Sequence, residues 1–213
     1  MPPIDPPKSC PGTPQMDTLS VGTVLWHIHS DQRTARQLNR TPQPAAGRGG
    51  RFDALAGDYG YLYLGDSPEA AIAETICRNL PLADPVARFV PRAQIAGRLL
   101  SRLQVTEPIT VVIAHGAALA HLGQDVWLTK SQPADYLLTR KWAAAIRGWA
   151  PGADGLVYRC RYDEDRRSWM LTADPTVAEH PSLTIVGDPL PLDNAVGRTI
   201  LRSVLVAYNA TIA

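Results

Sequence analysis

GRGGRFDALAGDYGYLYLGDSPEAAIAET, residues 47–75, places a glycine-rich loop, a short strand and a well-marked helix start in direct succession. Tyr59, Tyr61 and Tyr63 alternate, which puts them on one face of an extended segment, with GYLYLG over 60–65 as the strand. Ser67 can cap a helix whose first residue is Pro68, where a missing N–H does no harm, so a helix is predicted over 68 to about 79. Ile72 and Ile76 make an apolar face for it. Glu74 stands among the small residues Ala70, Ala71 and Cys77 instead of among polar ones. Two readings of that carboxylate are open. An ion pair with Arg78 at i,i+4 on a solvated face contributes roughly 0.2–0.5 kcal/mol and needs no further purpose. Alternatively, the small neighbours leave clearance for a ligand.

Working outward, SVGTVLWHIHS (residues 20–30) alternates as a strand, followed by a Gly- and Pro-rich loop over 41–50. GRLLSRLQV and ITVVIAH read as strands rich in branched residues, and GAALAHLG as a short helix. Ser131 and Pro133 open a longer helix, with Leu138, Trp142, Ile146 and Trp149 at helical spacing. GLVYRCRYD, SWMLTA and LTIVGD read as strands. A final helix from about Asp193 repeats apolar residues at Val196, Ile200, Val204 and Tyr208. Strands mixed irregularly with helices, with no recurring βαβ unit, predict an α+β fold: a compact mixed sheet core with flanking helices. Residues 1–18 are proline-rich and poor in large apolar side chains, so they are expected to be a flexible arm preceding one domain over 19–213.

The balance of 21 basic and 20 acidic residues lacks the basic footprint of a protein held by nucleic-acid phosphates. Cys10, Cys77 and Cys160 have no CxxC spacing, which argues against a zinc knuckle and a dense disulfide framework; a reducing cytoplasm is the simplest compartment. No run approaches the ~18 apolar residues of a membrane span. The opening segment also lacks the apolar core of a signal peptide.

Other residues with chemistry each carry a plain alternative. Arg51, after Gly47, Gly49 and Gly50, can offer a guanidinium and backbone N–H groups to an anion, or the loop is a solvated turn. The tyrosine row is cross-strand packing or a flat platform for a planar ring. His27, beside Trp26 on a strand, has no metal-ligand spacing and reads as a structural histidine. Cys160 has no base placed beside it by the sequence.

The order and spacing of these residues resemble the RES-domain toxins, named for an Arg, a Glu and a Ser. Arg51 in RFD, Tyr63 twelve residues later in YLYLGDS and Glu74 eleven further in AAIAET match the family's central motif; ADYLLTRKWAAAIRGWAPGADGLVYRCRYD and LTIVGD are similar to its later helix and strands. The likeness spans roughly residues 20–190. Two positions depart: the family's serine falls at Cys160, and the arginine of its first strand at His27. Diphtheria-type ADP-ribosyltransferases, which RES domains resemble in fold, carry a histidine on an early strand.

The resemblance implies a cytoplasmic toxin of a toxin–antitoxin pair that cleaves NAD at the nicotinamide–ribose bond, by phosphorolysis or hydrolysis. It implies no metal or cofactor beyond NAD as substrate, with inorganic phosphate as a conceivable co-substrate. The implied partner is an Xre-type helix-turn-helix antitoxin, and homo-oligomerisation stays open. The implied roles are Glu74 at the ribose, Arg51 on the pyrophosphate, Tyr63 with Tyr61 on the nicotinamide ring, His27 on the ribose or amide region, and Cys160 on the nicotinamide side. A mono-ADP-ribosyltransferase acting on a host protein and an inactive NAD- or partner-binding homologue are the alternatives.

Overall fold

The computed structural model describes residues 4–81 and 88–213. Ten strands are β1 (Met16–Leu19), β2 (Val24–Ser30), β3 (Gly60–Gly65), β4 (Arg88–Val90), β5 (Arg98–Val105), β6 (Ile109–Ile113), β7 (Gly155–Cys160), β8 (Asp163–Ala173), β9 (Leu183–Pro191) and β10 (Ala210–Ile212). Six α-helices are α1 (Pro68–Ile72), α2 (Arg92–Ile95), α3 (Ala118–His121), α4 (Trp127–Lys130), α5 (Tyr136–Trp149) and α6 (Ala195–Ala207).

Eight strands form one sheet in the order β1-β6-β7-β8-β3-β2-β5-β9, while β10 pairs with β4. Within the large sheet only β6–β7 is parallel. The α+β expectation therefore holds. The link from β5 to β6 decides the sheet's shape. Val105 and Ile109 are four residues apart, a reach of at most ~14 Å, yet β5 and β6 lie five strand spacings apart in the order, ~24 Å if the sheet were flat. The sheet must curl. It closes over a core shared by its two ends, in which Leu103 and Val105 of β5 join Ile109 and Val111 of β6 with Leu62, Leu64, Val157 and Trp169.

The opposite face takes the alternate residues. Tyr61, Tyr158 and Met170 pack with Trp142 and Ile146 of α5, while Ile28 and Leu100 pack with Ile72 and with Leu201 and Leu205 of α6. These two helical layers flank the place where β2 and β3 part: the strands pair only at Trp26 and Gly65.

Two boundaries differ from the sequence reading. Met16, Asp17 and Thr18, assigned to the arm by composition, are the start of β1 on the sheet edge. Earlier arm residues also touch the body: the Trp142 indole N–H donates to the carbonyl of Ile4 at 2.8 Å, and Lys141 pairs with Asp5. In α6 the buried stripe is Gly197, Leu201, Val204 and Leu205, one residue out of step with the predicted one, and Val196 is 59% exposed. Gly197 sets that rotation, because a Cβ there would come within 2.1 Å of the carbonyl oxygen of Pro191. No helix among the described residues is long and apolar enough to cross a membrane.

Candidate active site

The predicted helix starts as expected: the Ser67 hydroxyl accepts from the N–H of Ala70 at 3.1 Å, with Pro68 at the first position. After Ile72 it widens into a π-helical turn, Ala73–Cys77, which contains Glu74. Such turns are rare and change which residues share a face. Here the consequence is direct. Arg78 does not pair with Glu74; it donates to the carbonyl of Gly49 at 3.2 Å and lies over the Tyr136 ring. Glu74 turns inward and is 8% exposed.

The partner of Glu74 is Arg51. Its Nη2 donates to Glu74 Oε2, and both side chains are buried. Burial works against the guanidinium charge, but Glu74, with Tyr158, Tyr136 and Tyr63, outweighs it and holds Arg51 charged beyond its ordinary range. Nε and Nη1 of Arg51 have no hydrogen-bond partner; the group lies 5.4 Å from the Tyr158 ring centre and 6.0 Å from that of Phe52. The backbone N–H of Arg161 donates to Glu74 Oε1 at 2.5 Å. The Tyr158 hydroxyl donates to Oε2 at 3.4 Å, and burial, then Glu74, pushes that phenol well up, so it stays a donor.

Glu74 forms part of the wall of a cleft of about 580 Å³ where β2 and β3 part, with His27, Asn39, Asp53, Tyr61 and Tyr63 among its other lining residues. Four of the six predicted site residues therefore meet on one cavity. Arg51 and Cys160 do not line it. Arg51 is buried and paired with Glu74, a position different from the open contact with a pyrophosphate that the resemblance implies. Cys160 is fully buried against Ala70 and Ala73, its sulfur 3.2 Å from Ser168 Oγ. Burial, then Glu74, pushes its thiol up to about 12, so it is not a thiolate near neutrality. Of the small neighbours, Ala70 packs with Cys160, and Ala71 and Cys77 pack in the apolar cluster of Ile72 and Ile76, so they fill the interior and do not line the cleft.

The tyrosine row shares a face, but its rings are tilted edge to face, at 65° and 76°, rather than forming a flat platform. The Tyr63 hydroxyl donates to Asp53 Oδ1 at 2.7 Å and accepts from the N–H of Phe52 at 3.0 Å. His27 is half-buried; its Nδ1 lies 2.7 Å from the carbonyl oxygen of Ala35, an atom that can only accept, so Nδ1 carries the hydrogen. Burial lowers its pKa to about 4. The imidazole is neutral at physiological pH, with Nε2 as an acceptor.

The glycine loop is shaped from behind by Arg140, fully buried on α5. Its guanidinium donates to the carbonyls of Gly50, Gln43, Ala45 and Arg48. Thr139 holds the carbonyl of Arg51 at 2.6 Å. The sequence pattern assigned no role to Arg140, Asp53 or Tyr158, and offered Arg161 only as a residue that, with Cys160, could line a cleft. Arg140 had a visible signal, since it falls on the same buried stripe as Tyr136, Ala143 and Ile146. Arg161 does not line the cleft but reaches Glu74 through its backbone N–H, which no side-chain pattern displays.

A family model for the RES domain matches residues 24–193. The chain belongs to the RES-domain family. The match contains every residue of the cleft described above and ends before α6. Among solved structures, the fold is similar to a chain of the M. tuberculosis MbcT–MbcA toxin–antitoxin complex, with a TM-score of 0.57 and 18% identity over 87% of this chain and 92% of that one. No curated protein matches this RES-domain sequence.

Proposed function

We propose that this RES domain is the toxin of a toxin–antitoxin pair and cleaves NAD at the nicotinamide–ribose bond. One observation carries the reading: a buried carboxylate, Glu74, clamped by Arg51 and a backbone N–H, on the wall of a cleft that tyrosines and polar and charged side chains also line. As nicotinamide leaves, positive charge develops on the ribose. A carboxylate fixed beside the 2′-hydroxyl stabilises that charge more than it stabilises the intact substrate, and being held already it does not reorganise. Arg51 and the Arg161 N–H position Glu74. Oε1 accepts one N–H and keeps a lone pair for the ribose.

Arg33, Arg78 and Arg98 line the cleft, so in this reading they take the diphosphate in place of Arg51. Tyr61 and Tyr63 flank the nicotinamide, and His27 offers Nε2 to a hydroxyl or amide N–H. Phosphate or water accepts the ADP-ribosyl group. The family membership, and a structural neighbour that is a chain of a toxin–antitoxin complex, support an antitoxin as partner.

The test is nicotinamide release from NAD by the purified protein with and without phosphate. Release in either condition is expected, and ADP-ribose 1″-phosphate as product identifies phosphorolysis. Label transferred to protein in a lysate, with little free product, would favour a transferase instead. No release in both conditions rejects the reading.

A further inference from the structure

Asp53 is a second buried carboxylate on the cleft wall, 2% exposed. Its Oδ2 accepts from the N–H of Gly50 and its Oδ1 from the Tyr63 hydroxyl, each at 2.7 Å. It forms no ion pair among the described residues. Arg140, behind the same loop, directs its donors to four carbonyls instead. A buried charge held by hydrogen bonds and no direct ion pair is costly to keep.

The loop is nevertheless built to admit it. A Cβ at Gly49, whose φ is +70°, would lie 2.4 Å from Asp53 Oδ2. One at Gly50 would lie 2.5 Å from Asp53 Oδ1 and 2.6 Å from the Tyr63 hydroxyl. The anion held by this glycine loop is therefore the protein's own carboxylate. Its carboxylate lies at the Tyr63 part of the cleft; of the lining cations, Arg78 reaches the neighbouring Gly49 carbonyl, and none of Arg33, Arg78 and Arg98 forms an ion pair with it.

We propose that Asp53 is a specificity-determining residue that selects a positively charged aromatic ring beside Tyr63. For the ring's identity this rests on the dinucleotide reading: Asp53 favours the cationic pyridinium with its uncharged carboxamide. It disfavours the neutral dihydropyridine of the reduced dinucleotide, which lacks the ring charge, and the pyridinium that bears a carboxylate, whose negative charge Asp53 repels. The pyridinium loses its charge as the glycosidic bond breaks, so Asp53 acts on the bound ground state, in binding and KM. Glu74 acts on the charge that appears at the ribose. The two carboxylates thus divide binding from bond cleavage.

The test is equilibrium binding by calorimetry of three probes: carba-NAD, which keeps the pyridinium but has no cleavable glycosidic bond, NADH, and nicotinic acid adenine dinucleotide. The wild-type protein is expected to prefer carba-NAD over each of the others by about tenfold or more, the scale of one charge interaction in a partly desolvated site. Asp53→Asn should lose most of that preference, whereas a purely structural role would weaken all three probes alike. Equal wild-type affinities, or an unchanged preference in Asp53→Asn, overturn the proposal. The wild-type ratios need no variant, so a poorly folding Asp53→Asn protein leaves the test decisive. Selective binding of carba-NAD without cleavage of NAD would reject the proposed reaction and uphold Asp53; no binding of any dinucleotide rejects both.

Discussion

Glu74 and Arg51 are each other's countercharge in a buried site, so neither can be changed alone without leaving the other exposed to a low-dielectric interior. Arg51→Met is expected to lower stability by ~3–5 kcal/mol in urea denaturation, and Arg51→Met with Glu74→Leu to recover much of that loss. In the proposed reaction, Glu74→Gln keeps the shape and removes the charge, so nicotinamide release should fall by ~10²–10³-fold, the scale of losing one fixed electrostatic stabiliser. A thermal melt taken alongside separates this from unfolding. The buried thiols give an independent check. Burial pushes Cys77 and Cys160 both up to about 12, whereas Cys10 is half-buried. Titration with a thiol reagent should therefore modify Cys10 alone in the native protein and all three thiols after unfolding.

Two irregular elements build the site. The π-helical turn lets Glu74 face inward while Arg78 leaves for the loop; an uninterrupted α-helix is the geometry in which the i,i+4 pair predicted from sequence would form. The loop over 43–50 has little apolar content and is held instead by polar contacts, four of them from the Arg140 guanidinium and others from Arg78 and Asp53. Arg140→Met removes every donor that Arg140 supplies to Gln43, Ala45, Arg48 and Gly50. It is expected to speed amide exchange across 43–53 and to cost about 3 kcal/mol, as buried acceptors lose their partners. Unchanged exchange there would show that the loop holds itself.

At the scale of the whole molecule, curling of the sheet brings distant segments onto one cleft and encloses two neutral histidines. Burial lowers both His27 and His180 to about 4. The unfolded chain takes up these protons near the ordinary histidine value of about 6.5, while the folded protein resists until about pH 4. Their contribution to stability is therefore complete above pH 6.5, declines as the pH falls from there to about 4, and changes no further below. Denaturation midpoints measured across that window should fall accordingly. The His180 ring has no hydrogen-bond partner on either nitrogen; His180→Leu should make the slope shallower by about one proton's worth. An unaltered slope would mean that His180 does not titrate differently on folding.

Local signals in the chain determined the main elements. Alternation marked β2, β3 and β7, branched apolar content marked β5 and β6, short apolar runs marked parts of β8 and β9, the Ser67–Pro68 pair set the start of α1, and the α5 stripe set the face that Trp142 and Ile146 bury. The irregular mixture of strands and helices also specified the α+β class; the spacing of Arg51, Tyr63 and Glu74 together with the family resemblance, which added Tyr61 and His27, named four residues that reach the cleft, Tyr61, Tyr63, Glu74 and His27. Very short elements escaped, since β4 and β10, three residues each, form only by pairing with one another and cannot display a period. Tertiary structure alone decided the charge pairing. Glu74 lies four residues from Arg78 and twenty-three from Arg51, and sequence distance favours the near partner. The wider turn and the curled sheet reverse that preference, because burial makes the enclosed guanidinium and carboxylate far stronger partners for each other than an exposed pair four residues apart.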